Sequence, residues 1–231
     1  MIFTWDANSV KWFLDASVYT EFHKKLAEKI ETYLLPSDTL LDAGCGLGRL
    51  DLELSPHVAE ITAADINELV TDRLRQDVSK AGIKNMQVET RDLTDIGGMY
   101  DVIMTCFYGQ HDNTGFLKHI RRRFIRIVSA GNKSHLYPER HRINTKKTVP
   151  LVEDELRSLG ISYELELCSI EFGQPLVSWE DAQQFVKKNA PNAEIDEIDE
   201  FLKSIVTYTG REDFPIYLPY QKQLGIFIID K

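Results

Sequence analysis

Cysteine is scarce in this chain. The three present, Cys45, Cys106 and Cys168, are an odd and widely spaced set in 231 residues. Such a set builds no disulfide framework and has no zinc spacing. No run approaches the 18 apolar residues that would read as a membrane span. The opening stretch, MIFTWDANSV, lacks the basic and apolar segments of a secretory leader. A cytoplasmic location is therefore the expectation. Positive charge is also short. The net charge is −9, which weighs against broad binding to nucleic acid or to an anionic membrane. Internal repeats and low-complexity tracts are missing as well.

What is present is an ordinary globular composition, with 43% hydrophobic and 27% charged residues. Residues 20–34 carry Phe22, Leu26, Ile30, Tyr33 and Leu34 at helical spacing, and Pro36 ends that helix. Strands are predicted at 39–45, 60–66, 86–92, 100–107, 126–132 and 161–172, with a last one at 224–230. Helices are predicted just after Gly48, over 68–82, around 115–124 and over 149–160. This alternation predicts an α/β fold, a Rossmann-like, seven-stranded and mostly parallel sheet with helices on both faces. Residues 173–222 break the pattern with two helices, the first opened by Ser178 and Asp181 in a capping-box arrangement. The chain is read as a single domain, 1–231. It has a helical N-terminal cover (1–35), a core (36–172 and 223–231) and a lid-like insertion (173–222) between the last two strands.

The stretch LLDAGCGLGRL, residues 40–50, places three glycines between a buried strand and a helix. Glycines let the turn take positive φ and let a ligand approach the backbone, and the helix start favours polar groups of a nucleotide-like molecule. An acid, Asp65, ends the next strand nineteen residues after Gly46, a position suited to two ribose hydroxyls. The dinucleotide pattern G-x-G-x-x-G fits poorly, because its third position is Arg49.

The spacing Asp42-Ala-Gly44-Cys45-Gly46-Leu-Gly48 resembles the first motif, D/E-x-G-x-G-x-G, of the class I S-adenosylmethionine-dependent methyltransferases. AADIN, TRDLTDI and YDVIMTCF resemble their later motifs in order, over roughly residues 36–172. The resemblance implies S-adenosylmethionine as cofactor. It implies Asp42, Gly44, Cys45, Gly46 and Gly48 at the cofactor, Asp65 on the ribose and Ile66 against the adenine. Asp92 would meet the adenine amino group, the Leu93 backbone its ring nitrogen, and Cys106 and Phe107 would line the pocket. N-terminal segments of relatives often fold over the cofactor, which makes Tyr19 a candidate lid residue.

Methyl transfer from a sulfonium is an in-line displacement that depends chiefly on alignment. A general base is needed only when the acceptor must lose a proton. The loop after the fourth strand, CFYGQHDNTGF, offers His111 as the base, because its ordinary pKa lies near working pH, with Tyr108 and Asp112 as alternatives. The Asn/Asp-Pro-Pro-Tyr/Phe signature for planar amino nitrogens is absent, and no Pro-Cys pair marks Cys106 as a nucleophile. The acid that ends this strand in catechol-type metal enzymes is replaced by Cys106 and Phe107, so no catalytic metal is expected.

Ten Lys and Arg residues between 118 and 147 face one acid, Glu139. That stretch reads as an anion site or as a solvated basic face. The insertion carries Trp179, Phe185, Tyr208, Phe214, Tyr217 and Tyr220, after Phe172 at its entry, as a pocket wall or as its own small core. The leading expectation is a methyltransferase for a small-molecule acceptor, anionic or aromatic. The alternatives are an RNA or other nucleic-acid methyltransferase using the basic stretch, a non-enzymatic cofactor-binding protein, and a dinucleotide-dependent enzyme.

Overall fold

The computed structural model describes residues 5–94, 96–108, 114–131, 135–141 and 147–231. Two compact units emerge from it. One, the sheet unit, comprises His23–Gly131, Lys146–Cys168 and Gln223–Lys231. The other, the aromatic unit, comprises Met1–Phe22, Asn132–Thr145 and Ser169–Lys222.

The N-terminal segment holds two helices, α1 (Ala7–Thr20) and α2 (Phe22–Ile30). The residue between them, Glu21, takes a left-handed φ of 54° and breaks the run. Asp6 caps α1 by accepting the Ser9 amide proton at 2.8 Å, while the Ser9 hydroxyl oxygen accepts from the Asp6 amide at 2.8 Å.

The sheet unit is built on β1 (Thr39–Ala43), β2 (Glu60–Asp65), β3 (Met86–Thr90), β4 (Tyr100–Cys106), β5 (Ile120–Ser129) and β6 (Glu164–Glu171). The short strands β7 (Gln174–Leu176), β8 (Thr207–Tyr208) and β9 (Ile216–Leu218) follow in the aromatic unit, and β10 (Gln221–Asp230) returns to the sheet. The seven-stranded order is β3-β2-β1-β4-β5-β10-β6. Strands β1 to β5 pair in parallel, and β10 runs antiparallel to β5. β1 and β4 lie inside this sheet, and Leu40, Leu41, Val102, Ile103 and Met104 are at most 1% exposed, as strands covered on both faces require. The crossover helices are α3 (Arg49–Leu54), α4 (Glu68–Ala81) and α5 (Val149–Ser158).

One expected element is corrected. The sequence predicts a helix around 115–124, but Thr114–His119 is a 3-10 turn and Ile120 already begins β5. Phe116, Ile120 and Phe124 recur every four residues and are all buried, a spacing that also suits alternation along a strand. Pairing with β4 and β10 decides between the two.

In the aromatic unit, α6 (Trp179–Asn189) and α7 (Ile195–Ile205) accompany a three-stranded sheet in the order β7-β9-β8. Ser178 caps α6 by accepting the Asp181 amide at 3.1 Å. Trp12, Leu176, Phe185, Ile198, Leu202 and Leu218 form the core of this unit.

Candidate active site

The glycine turn leaves the carboxyl end of β1, the edge at which open α/β sheets hold ligands. Gly44, Gly46 and Gly48 have φ of 82°, 54° and 60°. The Gly44 and Cys45 amides donate to the Ala64 carbonyl at 2.8 and 3.0 Å, which ties the turn to β2. Gly48 caps α3, and a methyl group built on it would come within 2.3 Å of Leu74 of α4. A methyl built on Gly44 would come within 2.0 Å of the Tyr108 ring. At both positions the left-handed backbone and the close neighbour call for glycine.

Asp65 closes β2 beside this turn. One carboxylate oxygen accepts the Gly46 amide at 2.9 Å and the other accepts the Asn67 amide at 2.9 Å. Ile66, next to it, is 68% exposed. At the end of β3, Asp92 is exposed and accepts the Thr94 amide at 2.9 Å, while Leu93 is buried in the core. The Asp65 carbonyl accepts the Arg91 amide at 3.0 Å, so the β2 and β3 ends are joined.

β4 ends at Cys106. The next residue, Phe107, holds a left-handed φ of 53° although it is not glycine. Such a backbone costs roughly 1–3 kcal/mol and is typically kept near functional sites. Its amide donates to the Ile127 carbonyl at 2.9 Å. Tyr108 turns back over Gly44 and packs 6.0 Å from Phe116. Burial, then the charges of Asp92 and Asp65, hold the Tyr108 phenol above its ordinary pKa. It therefore keeps its proton at neutral pH, which suits a hydrogen-bond donor better than a general base. His111 and Asp112 lie outside the described residues.

Beneath the turn lies a residue that the sequence pattern did not single out. Asp51 of α3 is fully buried beside Asp42 of β1, which is 2% exposed. The spacing of Leu47, Asp51 and Leu54 puts Asp51 on the inward face of α3, a signal available in the sequence. Burial, then the two aspartates and Asp65, push the Cys45 thiol well above its usual value, so it is held protonated.

Gly44, Cys45, Gly46, Gly48, Asp65, Ile66, Asp92, Leu93, Cys106, Phe107 and Tyr108 thus belong to the sheet unit, at the carboxyl ends of β1 to β4. Tyr19 belongs to the aromatic unit, where its ring stacks on Tyr217 at 4.9 Å and lies under Arg211. Of the ten cations between 118 and 147, six are ion-paired: Arg121, Arg122, Arg123, Arg126, Arg140 and Lys147. Lys133, Arg142 and Lys146 lie outside the described residues. A cleft of about 300 Å³ opens at the opposite, amino-terminal ends of the strands, lined by Thr39, Glu60, Gln87, Gly98 and Arg121. The site is assigned to the glycine turn because that turn stands where strand ends, helix start and acids converge.

Residues 40–129, strands β1 to β5 with this turn, match the family model of the methyltransferase domain. Those residues are similar to a methyltransferase domain. Over 86 residues the chain is 34% identical to the ribosomal protein L11 methyltransferase of Thermoanaerobacter pseudethanolicus. That match takes in 36% of this chain and 28% of the relative's length. Among solved structures, magnesium protoporphyrin IX methyltransferase of Synechocystis with bound S-adenosylmethionine superposes with a TM-score of 0.54 at 16% identity. It covers 99% of this chain and 86% of that one. The YcgJ protein of Bacillus subtilis gives a TM-score of 0.57 at 12% identity, over 91% and 98% of the two chains. At these identities the structures establish the methyltransferase fold. S-adenosylmethionine is the cofactor of this domain class. The cradle fits it, with a glycine-rich left-handed turn, a strand-end carboxylate at Asp65 and an exposed apolar face at Ile66.

Proposed function

We propose that this protein transfers the methyl group of S-adenosylmethionine to a small-molecule acceptor. The observation that carries the reading is the left-handed Gly44–Gly48 turn with the Asp65 carboxylate seated on its Gly46 amide. In this reading the turn receives the amino-acid end of the cofactor, Asp65 the ribose, and Ile66, Asp92 and the Leu93 backbone the adenine. Asp42 supports the turn from below, and Cys45, Cys106 and Phe107 line the pocket. When bound, the cofactor supplies a methyl group activated on a sulfonium. The chain's work is to align the acceptor and exclude water, which accounts for most of the barrier lowering that positioning gives. Tyr108 and His111 are the candidates for holding or taking an acceptor proton, and Tyr19 is a candidate lid residue. The single-domain reading, with 173–222 as a lid-like insertion, belongs to the same proposal.

A small acceptor, anionic or aromatic, is favoured over a nucleic-acid backbone because six of the ten cations in the basic stretch are already paired with acids. Calorimetric titration with S-adenosylhomocysteine, with NADH as control, on wild type and Asp65→Ala tests the cofactor half. Binding selective for the first ligand and weakened at least tenfold by the substitution is expected, since a charged hydrogen bond is worth roughly 1.5–3 kcal/mol. Binding of NADH alone, or of neither ligand, would sink it. A screen of metabolite acceptors against a mixed RNA pool, read as labelled product, separates the two acceptor classes.

A further inference from the structure

Two carboxyl groups lie beneath the glycine turn with no ion-paired cation among the described residues. One Asp42 oxygen and both Asp51 oxygens are buried and receive no donor from the described residues. The two side chains lie against each other, and a desolvated carboxylate with neither donor nor cation is costly to keep charged, so the pair is held neutral by a proton. The other ionisable groups facing the pair are Asp65, from the end of β2, and the thiol of Cys45, from the turn. Neither brings positive charge. Arg49, the cation at the start of α3, is turned to Asp77 at 3.9 Å. Burial holds Asp42 well above the usual carboxylate range and pushes Asp51 up to about 7.

A desolvated acidic pair of this kind is stabilised in its charged form by a cation brought close to it. We propose that Asp42 and Asp51 are positioning residues that sense cofactor charge through a proton. The pair releases a proton to solvent when the sulfonium donor binds above the turn, and it takes one back when the uncharged thioether product is left. No bond to carbon changes in this step; the charge gained at sulfur is balanced by the proton lost below. Donor and product carry the same ammonium and carboxylate, so the difference between them isolates the sulfonium. The inference rests on the cofactor reading above.

The test is calorimetric titration of wild type and Asp51→Asn with S-adenosylmethionine and with S-adenosylhomocysteine, from about pH 6 to about pH 8, in buffers of two ionisation enthalpies. In wild type the preference for the donor should rise roughly threefold to tenfold across that range, with proton release on donor binding only. In Asp51→Asn the preference should be flat. A preference independent of pH in wild type, or equally dependent in the variant, overturns the proposal. Infrared spectra of the ligand-free protein give a second readout. A protonated-carboxyl band at neutral pH should weaken in Asp51→Asn and vanish in Asp42→Asn/Asp51→Asn. If wild type lacks the band, the proposal falls while the cofactor reading stands. If neither ligand binds at any pH, both fall.

Discussion

The two units bury polar groups in different ways. Among the described residues of the aromatic unit, no buried side-chain polar atom lacks a hydrogen-bond partner. Trp12 donates to Asp181 at 2.9 Å, Trp179 to Asp199 at 2.9 Å, and the Tyr217 hydroxyl to Glu171 at 2.6 Å. In the sheet unit Asp42, Asp51, Thr105, Arg126 and Ser129 each keep a buried side-chain atom with no hydrogen-bond partner among the described residues. Each such atom costs about 1–3 kcal/mol. The aromatic unit is built as a packed body would be for stability alone. The sheet unit carries unmet polarity around the turn and the strand ends, where a ligand is expected. Tolerated local cost of this kind marks the part of a fold shaped by function.

The largest expected effect comes from closing the turn. Gly44→Val adds a branched side chain to a left-handed residue already overlapped by Tyr108. Backbone strain and overpacking together amount to a few kcal/mol, so affinity for S-adenosylhomocysteine should fall roughly 100-fold or more. All three tryptophans, Trp5, Trp12 and Trp179, belong to the aromatic unit, so their fluorescence reports on that unit. Emission unchanged alongside lost binding would sharpen the contrast between the units. Emission shifted to that of the unfolded chain would break it.

The reciprocal change is Phe185→Ala. Phe185 is 8% exposed and meets the Trp12 ring edge-on at 5.4 Å. Its removal should cost about 3–5 kcal/mol in chemical denaturation and redden the tryptophan emission. Affinity for S-adenosylhomocysteine, measured well below the unfolding transition, should be retained. Loss of affinity in the folded variant would mean that the aromatic unit takes part in cofactor binding.

How much of this was legible in the sequence depended on whether the deciding contact was local. The Gly44–Gly48 turn and Asp65 were legible because glycine has few other uses after a buried strand, and because the motif spacing is short. The cap of α1 by Asp6 and Ser9 was written locally as well, although the pattern alone gives only a general helical cover there. The start of β5 was not legible, because Phe116, Ile120 and Phe124 satisfy both periods and only the β4 and β10 partners choose. The strands β7, β8 and β9 were hidden for the same reason, being two or three residues long and defined by pairing. Asp51 was hidden by its chemistry, since an aspartate on a helix ordinarily reads as solvated.

The contrast also exists within the sheet unit, and pH exposes it. Asp38 is as buried as Asp42, but it is held by the Arg122 guanidinium and accepts the Leu35 amide at 2.7 Å. One Asp42 oxygen and both Asp51 oxygens have no hydrogen-bond partner among the described residues. Burial raises Asp51 from the ordinary 3.8 to about 7, so the folded protein keeps a proton that the unfolded chain has lost. Stability from this group is therefore full below the unfolded pKa and declines as pH climbs toward about 7. Asp51→Asn preserves the shape and abolishes the decline. Each tenfold fall in proton activity between the unfolded and folded pKa values is worth about 1.4 kcal/mol. Denaturation at about pH 8 should therefore find the variant about 4 kcal/mol more stable than wild type, and at about pH 4 nearly equal to it. A variant less stable than wild type at both values would show that the Asp51 carboxylate is held by a donor. Asp51 would then join Asp38 as a satisfied buried acid, and the sheet unit would lose its clearest difference from the aromatic one.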